Sequence, residues 1–362
     1  MQERTGRTID AVRKRRAWGI AVGVVAVAFV GWIGLRGGNL REQIWAAWSA
    51  TSSAPATDPV EMEQQAREHP DDLRAQLQWG ETLVKAKRLA EAVPILTHAQ
   101  EIAPNDARPY AWLGIVALSG QRPDEARNLL HEALQRDPSN TTAIRALANL
   151  DAQERHLQPA IQGFERLTQL LPNDADAWQR LGLLLIGAGE NYRSLDALAH
   201  AASLDPNDLL TQGALGNMAL QAGRLDQANQ AYRIVLAREP NDPQALTGLA
   251  RVMMRMDPSP AGLAAAEKQA DLAVQVAPSV ESHKARGQIR MTRGRLQEAI
   301  EDFNACISLD PRVREPYVLL SQCYARAGKP DLARKASDAF DQLRARQLAR
   351  DRAAGRQSEV MK

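Results

Sequence analysis

Six histidines and two cysteines are the rarer side chains in this 362-residue chain whose types and spacing could do chemistry. The histidines, at 69, 98, 131, 156, 200 and 283, are scattered. His131-Glu132 is not followed by a second histidine four residues on, so the pattern that sets two imidazoles and a glutamate base on one helix face is missing. Gly328-Lys329 runs into Pro330 and lacks the glycine-rich lead that cradles phosphates. No Gly-x-Ser-x-Gly elbow occurs. Carboxylates are numerous, but they fall at turns and on outer helix faces, where they read as solvated caps. The chain is therefore expected to be no enzyme and to hold neither cofactor nor metal.

Cys306 and Cys323 fall in successive predicted helices. They read either as a disulfide, given an oxidising compartment, or as two small buried hydrophobes. The formal net charge of +2 leaves no basic footprint for nucleic acid. What remains is recognition chemistry, which depends on the scaffold that presents it.

Prolines at 70, 104, 138, 172, 206 and 240 stand 34 residues apart, and two more follow at 278 and 311. Such a period marks repeated supersecondary units that bury their apolar faces against one another. Counted from three residues past each proline, or two past Pro278, the eighth residue is Gly80, Gly114, Ala148, Gly182, Gly216, Ala250, Gly287 or Ser321. The twentieth, allowing for about four extra residues in the sixth repeat, is Ala92, Ala126, Ala160, Ser194, Ala228, Ala266, Ala299 or Ala333. All are small, which predicts close helix contact at both points. Gly189, Gly223, Gly294 and Gly328 fall where a first helix should stop, and Pro123, Pro159 and Pro330 where a second should start. Pro-Asn-Asp at 104–106, 172–174, 206–208 and 240–242, with Pro-Ser-Asn at 138–140, supplies a stop and then a capping oxygen. Only 4% of residues are aromatic, which suits thin layers of Ala- and Leu-rich helices better than one globular core.

These residues resemble the tetratricopeptide repeat family. The match runs through Tyr110, Leu113, Gly114, Ala126, Leu130, Ala133 and Pro138, and again through Trp178, Leu181, Gly182, Leu198, Ala201 and Pro206. It implies an all-α, right-handed superhelical solenoid of about eight helix-turn-helix repeats over 71–347, near 73–106, 107–140, 141–174, 175–208, 209–242, 243–279, 280–313 and 314–347. A charged tail, 348–362, follows. The sequence departs from the family at Arg286, where Leu is expected, at Gln212 and His283, where an aromatic is, and at about four extra residues around Asp257–Pro260. Pro94 predicts a kink in the first repeat.

The resemblance also implies a concave groove lined by the second, fifth, ninth, twelfth and thirteenth residues of each repeat. Carried over, these are Arg145, Asn149, Gln179, Asn217, Gln221, Arg251, Met254, Arg255, Lys284, Gln288, Met291, Gln322 and Arg326, with Ile115, Leu118, Leu183 and Ile186 earlier in the array. Amides suit a peptide backbone, apolar patches its side chains and arginines its carboxylates, so a protein or extended peptide is the expected partner. Arg145 and Asn149, near Arg180, faintly resemble the family's carboxylate clamp, although Asp176 stands where that clamp wants a cation.

Ahead of the array, residues 17–35 carry no charge and as a helix would span about 28 Å, which predicts a transmembrane anchor. Arg13-Lys14-Arg15-Arg16 abuts it, so residues 1–16 are expected in the cytoplasm and the repeats on the periplasmic or extracytoplasmic side of the inner membrane. Gly19 and Gly23 offer a face for homodimerisation of the anchor. Residues 36–70 are expected to form a juxtamembrane segment, with Trp45 and Trp48, and a flexible linker. Two functions fit: a membrane-anchored scaffold for envelope-complex or cytochrome c assembly, or a regulatory subunit of a membrane enzyme such as a polysaccharide synthase or secretion system.

Overall fold

A computed structural model describes residues 59–360, and the expected anchor, most of the linker and the last two residues lie outside them. Among the described residues there are seventeen α-helices and no strand. None of those helices is long and apolar enough to cross a membrane. The chain divides into two compact units after Thr211.

In the first unit a short lead helix, α1 (Pro59–Glu68), precedes four helix pairs. These are α2 (Leu73–Lys85) with α3 (Leu89–Ile102), α4 (Ala107–Ser119) with α5 (Pro123–Arg136), α6 (Thr141–Gln153) with α7 (Leu157–Leu170), and α8 (Ala175–Gly187) with α9 (Asn191–Leu204). Helix α10 (Leu209–Gln221) carries the boundary in its first turn. The second unit continues with α11 (Leu225–Arg238), α12 (Pro243–Met256), α13 (Pro260–Val276), α14 (Val280–Thr292), α15 (Leu296–Leu309), α16 (Glu315–Arg326) and α17 (Pro330–Val360). Within each unit, the first helix of a repeat packs on its own second helix and on the second helix of the repeat before; α2, α4 and α6, and likewise α12, α14 and α16, are side by side.

The turn chemistry accounts for these boundaries. Side chains of Asp106, Asn140, Asp174, Asp208 and Asp242 accept from backbone N–H groups two or three residues on and so cap α4, α6, α8, α10 and α12. Each such cap contributes about 1 kcal/mol. Gly189, Gly223, Gly294 and Gly328 take φ of 77°, 75°, 79° and 69°, the left-handed region in which a side chain is strained. In the first three repeats the same turn position is held by Lys87, Gln121 and Arg155, at φ of 63°, 59° and 62°, so the geometry is kept without glycine. The extra residues of the sixth repeat are absorbed into longer helices: α12 has 14 residues and α13 has 17, against 13 and 14 in α4 and α5. Helix α3 continues through Pro94 to Ile102.

Packing refines the expected small-residue contacts. The small eighth residue is met by the large side chain sixteen residues on. A Cβ added to Gly182 would come 2.7 Å from Leu198, one on Gly216 2.7 Å from Tyr232, and one on Gly287 2.6 Å from Phe303. The twentieth residues are buried in every repeat, from Ala92 to Ala333. The core of the first unit gathers Leu83, Leu96, Leu118 and Leu130 in one cluster and Phe164, Leu167, Leu181 and Leu185 in another. In the second unit Phe303, Leu320 and Cys323 form one cluster and Ala250, Ala266, Ala270 and Ile289 another. Both cysteines are free and buried, and Cys306 Sγ lies 3.3 Å from the Val280 carbonyl oxygen.

Candidate recognition surface

The expected groove residues all lie on the first helices of the repeats, but the two units treat them differently. In the first unit the polar ones are buried and already bonded. Arg145 on α6 donates to Asp174 and, at 2.8 Å, to Asp176 of the next repeat. Arg180 pairs with Asp176 at 2.9 Å and donates to Asn149 at 3.2 Å. Gln179 on α8 donates to Asp208 and, at 2.7 Å, to the Thr211 hydroxyl. Arg145, Asn149 and Gln179 are 5%, 8% and 6% exposed. The clamp-like trio is thus neutralised from within, chiefly by the carboxylate at position 176. Ile115 and Leu118 belong to the buried cluster, on a helix flanked by α2, α3, α5 and α6. Leu183 and Ile186 are half-buried.

In the second unit the corresponding faces reach solvent. Asn217 and Gln221 on α10, Arg251 and Arg255 on α12, and Gln322 and Arg326 on α16 are exposed. Met254, Lys284, Gln288 and Met291 are half-buried among them. Lys284 pairs with Glu315 at 2.8 Å, and Arg255 donates to the Leu220 carbonyl at 2.9 Å, closing the end of α10. Arg251 and Arg326 have no ion-pair partner among the described residues. Beneath Arg251, Tyr232 donates to Asn217 Oδ1 at 2.8 Å. Burial pushes that phenol up to about 12, against the opposing pull of Arg251, so it stays protonated as a donor. The result is a face with cations at positions 251, 255 and 326, amides between them and two thioethers, chemistry suited to an acidic, partly apolar polypeptide.

The departures at His283 and Arg286 have a shared explanation that repeat-by-repeat reading missed. Both converge on Asp302 of α15, which is 1% exposed. His283 Nδ1 is 3.0 Å from Asp302 Oδ1, Arg286 donates to it at 2.6 and 3.0 Å, and Arg290 donates to Oδ2 at 2.9 Å. A second buried carboxylate, Glu267 of α13, accepts from Arg290 and Arg295 at 2.8 Å and from Arg293. Burial alone would raise Glu267, but hydrogen bonds and charge from Arg290, Arg295 and Arg293 outweigh it and hold the carboxyl below its usual range. This cluster replaces an apolar seam by ion pairs, and every member is spoken for within the chain. It is structural.

Asp151, Glu154 and His156 bring one ligand atom each within 4.8 Å of one another, a spacing a metal ion could use. Arg127 already donates to Asp151 at 2.7 Å and to Glu154 at 2.6 Å, so both carboxylates are neutralised by a fixed cation.

Comparison with known proteins follows the same periodicity. Residues 117–184, 214–255 and 281–313 each match a profile described as tetratricopeptide repeat. The chain is 27% identical over 255 residues to cellulose synthase operon protein C of Pseudomonas fluorescens, an alignment covering 69% of this chain and 18% of the relative. It is 28% identical over 179 residues to the protein of the same name from Xanthomonas axonopodis, covering 47% of this chain and 12% of that one. The chain thus spans less than a fifth of the length of these two relatives. It is also 20% identical to BBSome complex member BBS4 of Bos taurus, over 68% of this chain and 46% of that protein. Among solved structures, Pseudomonas aeruginosa pilF is similar at 17% identity and a TM-score of 0.49, covering 61% of this chain and all but 1% of that one. With paired helices on a 34-residue beat, small eighth residues seated against the second helix and three matching profiles, the chain belongs to the tetratricopeptide repeat family.

Proposed function

We propose that this chain is a non-catalytic, membrane-anchored scaffold of a polysaccharide-producing envelope assembly, binding an acidic segment of a partner protein on the open face of its second unit. The observation that carries the binding reading is the contrast between units: Arg145, Asn149 and Gln179 are consumed by internal bonds, whereas Arg251, Arg255 and Arg326 stand exposed beside amides and methionines. The polysaccharide setting is supported by relatives from three bacteria named cellulose synthase operon protein C or cellulose synthase 1 operon protein C, and we favour it over cytochrome c assembly. In this reading residues 17–35 anchor the chain in the inner membrane and the repeats stand on its outer side, with Gly19 and Gly23 available for pairing of anchors.

The test is genetic and biochemical. Deleting the chain in its own host should lower secreted polysaccharide, and the native chain should co-purify with synthase or export subunits from solubilised membranes. Arg251→Glu with Arg326→Glu should keep the fold but weaken that association tenfold or more, because charge-assisted contacts become repulsive. The wild-type association should fall with added salt. Unchanged polymer secretion on deletion would sink the setting. Undiminished partner recovery by the folded double variant would sink the face.

A further inference from the structure

The first unit contains an open cleft of about 620 Å³ lined by α5, α6, α7 and the turn before α7. Its floor is apolar: Leu134 from α5 and Ile144, Leu147 and Ala148 from α6. Gly163 keeps α7 low over that floor, since a Cβ there would come 2.6 Å from the Ala148 methyl. The mouth is polar, with Arg166 and Gln162 of α7 on one side and His131 and Arg127 of α5 on the other. A volume of several hundred Å³ with an apolar floor and a few convergent polar groups is the make-up of small-molecule sites.

Charge at the mouth selects the ligand. Each acid nearby is already paired: Asp151 and Glu154 with Arg127, Glu132 with Arg136, and Glu165 with Arg193. Arg166 is exposed and donates one N–H to the Pro138 carbonyl, and no carboxylate reaches it among the described residues. Its other N–H groups are available beside the apolar floor. We propose that this cavity binds a small amphipathic carboxylate, with the apolar body on Leu134, Ile144 and Leu147 and the carboxylate on Arg166. A carboxylate would add a charge-assisted contact to this guanidinium that a neutral ligand cannot. This site does not depend on the scaffold reading of the second unit.

Photo-labelling tests it on the full chain in lipid nanodiscs, with 4-benzoylbenzoate as the probe and peptide mass spectrometry to map adducts. Saturable labelling of peptides within residues 127–166 is expected, at least tenfold stronger than with the neutral 4-benzoylbenzamide. Arg166→Gln keeps a polar side chain but removes the charge, and should weaken labelling about tenfold or more. Gln162→Trp fills the mouth from an exposed position and should abolish it. Both variants should melt with the wild type, which separates a lost site from a lost fold. Labelling that does not saturate, that spreads evenly along the chain, or that ignores both the amide control and Arg166→Gln would overturn the proposal.

Discussion

Replacing Asp302 by Ala should be among the most damaging single changes in the second unit. The carboxylate is 1% exposed and is the common acceptor for His283, Arg286 and Arg290. Removing one side of a buried ion pair costs about 3–5 kcal/mol, because the partners keep their charge and lose their compensation. Two features pull the cost to the lower end. The Arg286 and Arg290 side chains are 17% and 13% exposed, so their heads can turn toward water, and Arg290 keeps Glu267. The expected loss is about 3 kcal/mol. A double variant separates charge from packing. Other repeats carry Leu at the place of Arg286 and Ala at the place of Asp302, as Leu181 with Ala197 and Leu215 with Ala231. Arg286→Leu with Asp302→Ala should therefore lose at least about 1 kcal/mol less than the two single changes summed. The tryptophans provide an internal control: all seven, the last being Trp178, precede the second unit. In a urea titration of a chain with Trp18, Trp32, Trp45 and Trp48 replaced by Phe, circular dichroism follows both units and the fluorescence of Trp79, Trp112 and Trp178 the first alone. Asp302→Ala should shift the dichroism transition more than the fluorescence one, as expected of a stack stabilised by nearest neighbours. A loss under about 0.5 kcal/mol, or strict additivity in the double variant, would refute the buried-pair reasoning.

Glu267 links the same seam to pH. Its folded pKa lies below the ordinary 4.5, so its contribution is fully present above that value and is lost as pH falls through the folded one. The stability gap between wild type and Glu267→Gln should accordingly narrow on acidification; a gap unchanged by acid would contradict the assignment. Burial pushes the Cys306 thiol up to about 12 and also raises Cys323, so Ellman's reagent should find both thiols only after denaturant is added. Rapid reaction of either in the native chain would show the last two repeats to be open. Gly216→Leu should overpack Tyr232 and cost about 1–3 kcal/mol in thermal melts, whereas Gln230→Leu, on an exposed face, should stay within about 0.5 kcal/mol; equal melts would place the helix contact elsewhere.

The repeat frame was legible in the sequence because its determinants are local or periodic. A proline, a capping Asp two residues on, a glycine at the turn and a small residue at fixed spacing each act within a few residues or recur every 34. The left-handed turns at Lys87, Gln121 and Arg155 were not legible, since no residue type announced them and only alignment with Gly189 and Gly223 exposes the position. The ion cluster was half legible. Arg286 and His283 stand out as departures, but the Asp302 that answers them lies sixteen residues past Arg286 in the partner helix, where sequence alone does not distinguish it from a solvated acid.

Legibility of the candidate face stops at a particular point. The family frame tells which side of a helix a residue occupies, not whether the next repeat has already satisfied it. At two consecutive seams in the first unit the fifth residue of one repeat, Arg145 and then Gln179, reaches the Asp that caps the following helix, Asp174 and then Asp208. The carboxylate that starts the helix thus also closes the face of the repeat before it. In the second unit this coincidence fails. Asp242 caps α12, but the fifth residue before it is Gly213; Ser279 replaces the acid ahead of α14; and α16 has no side-chain cap. Thr247, the fifth residue of its repeat, bonds its own helix at the Pro243 carbonyl, and of these fifth residues Lys284 crosses a seam, to the exposed Glu315. The capping acids that make the first unit easy to read also occupy the polar fifth residues of its repeats, whereas Arg251 and Arg326, at ninth and thirteenth positions, are met by no carboxylate among the described residues.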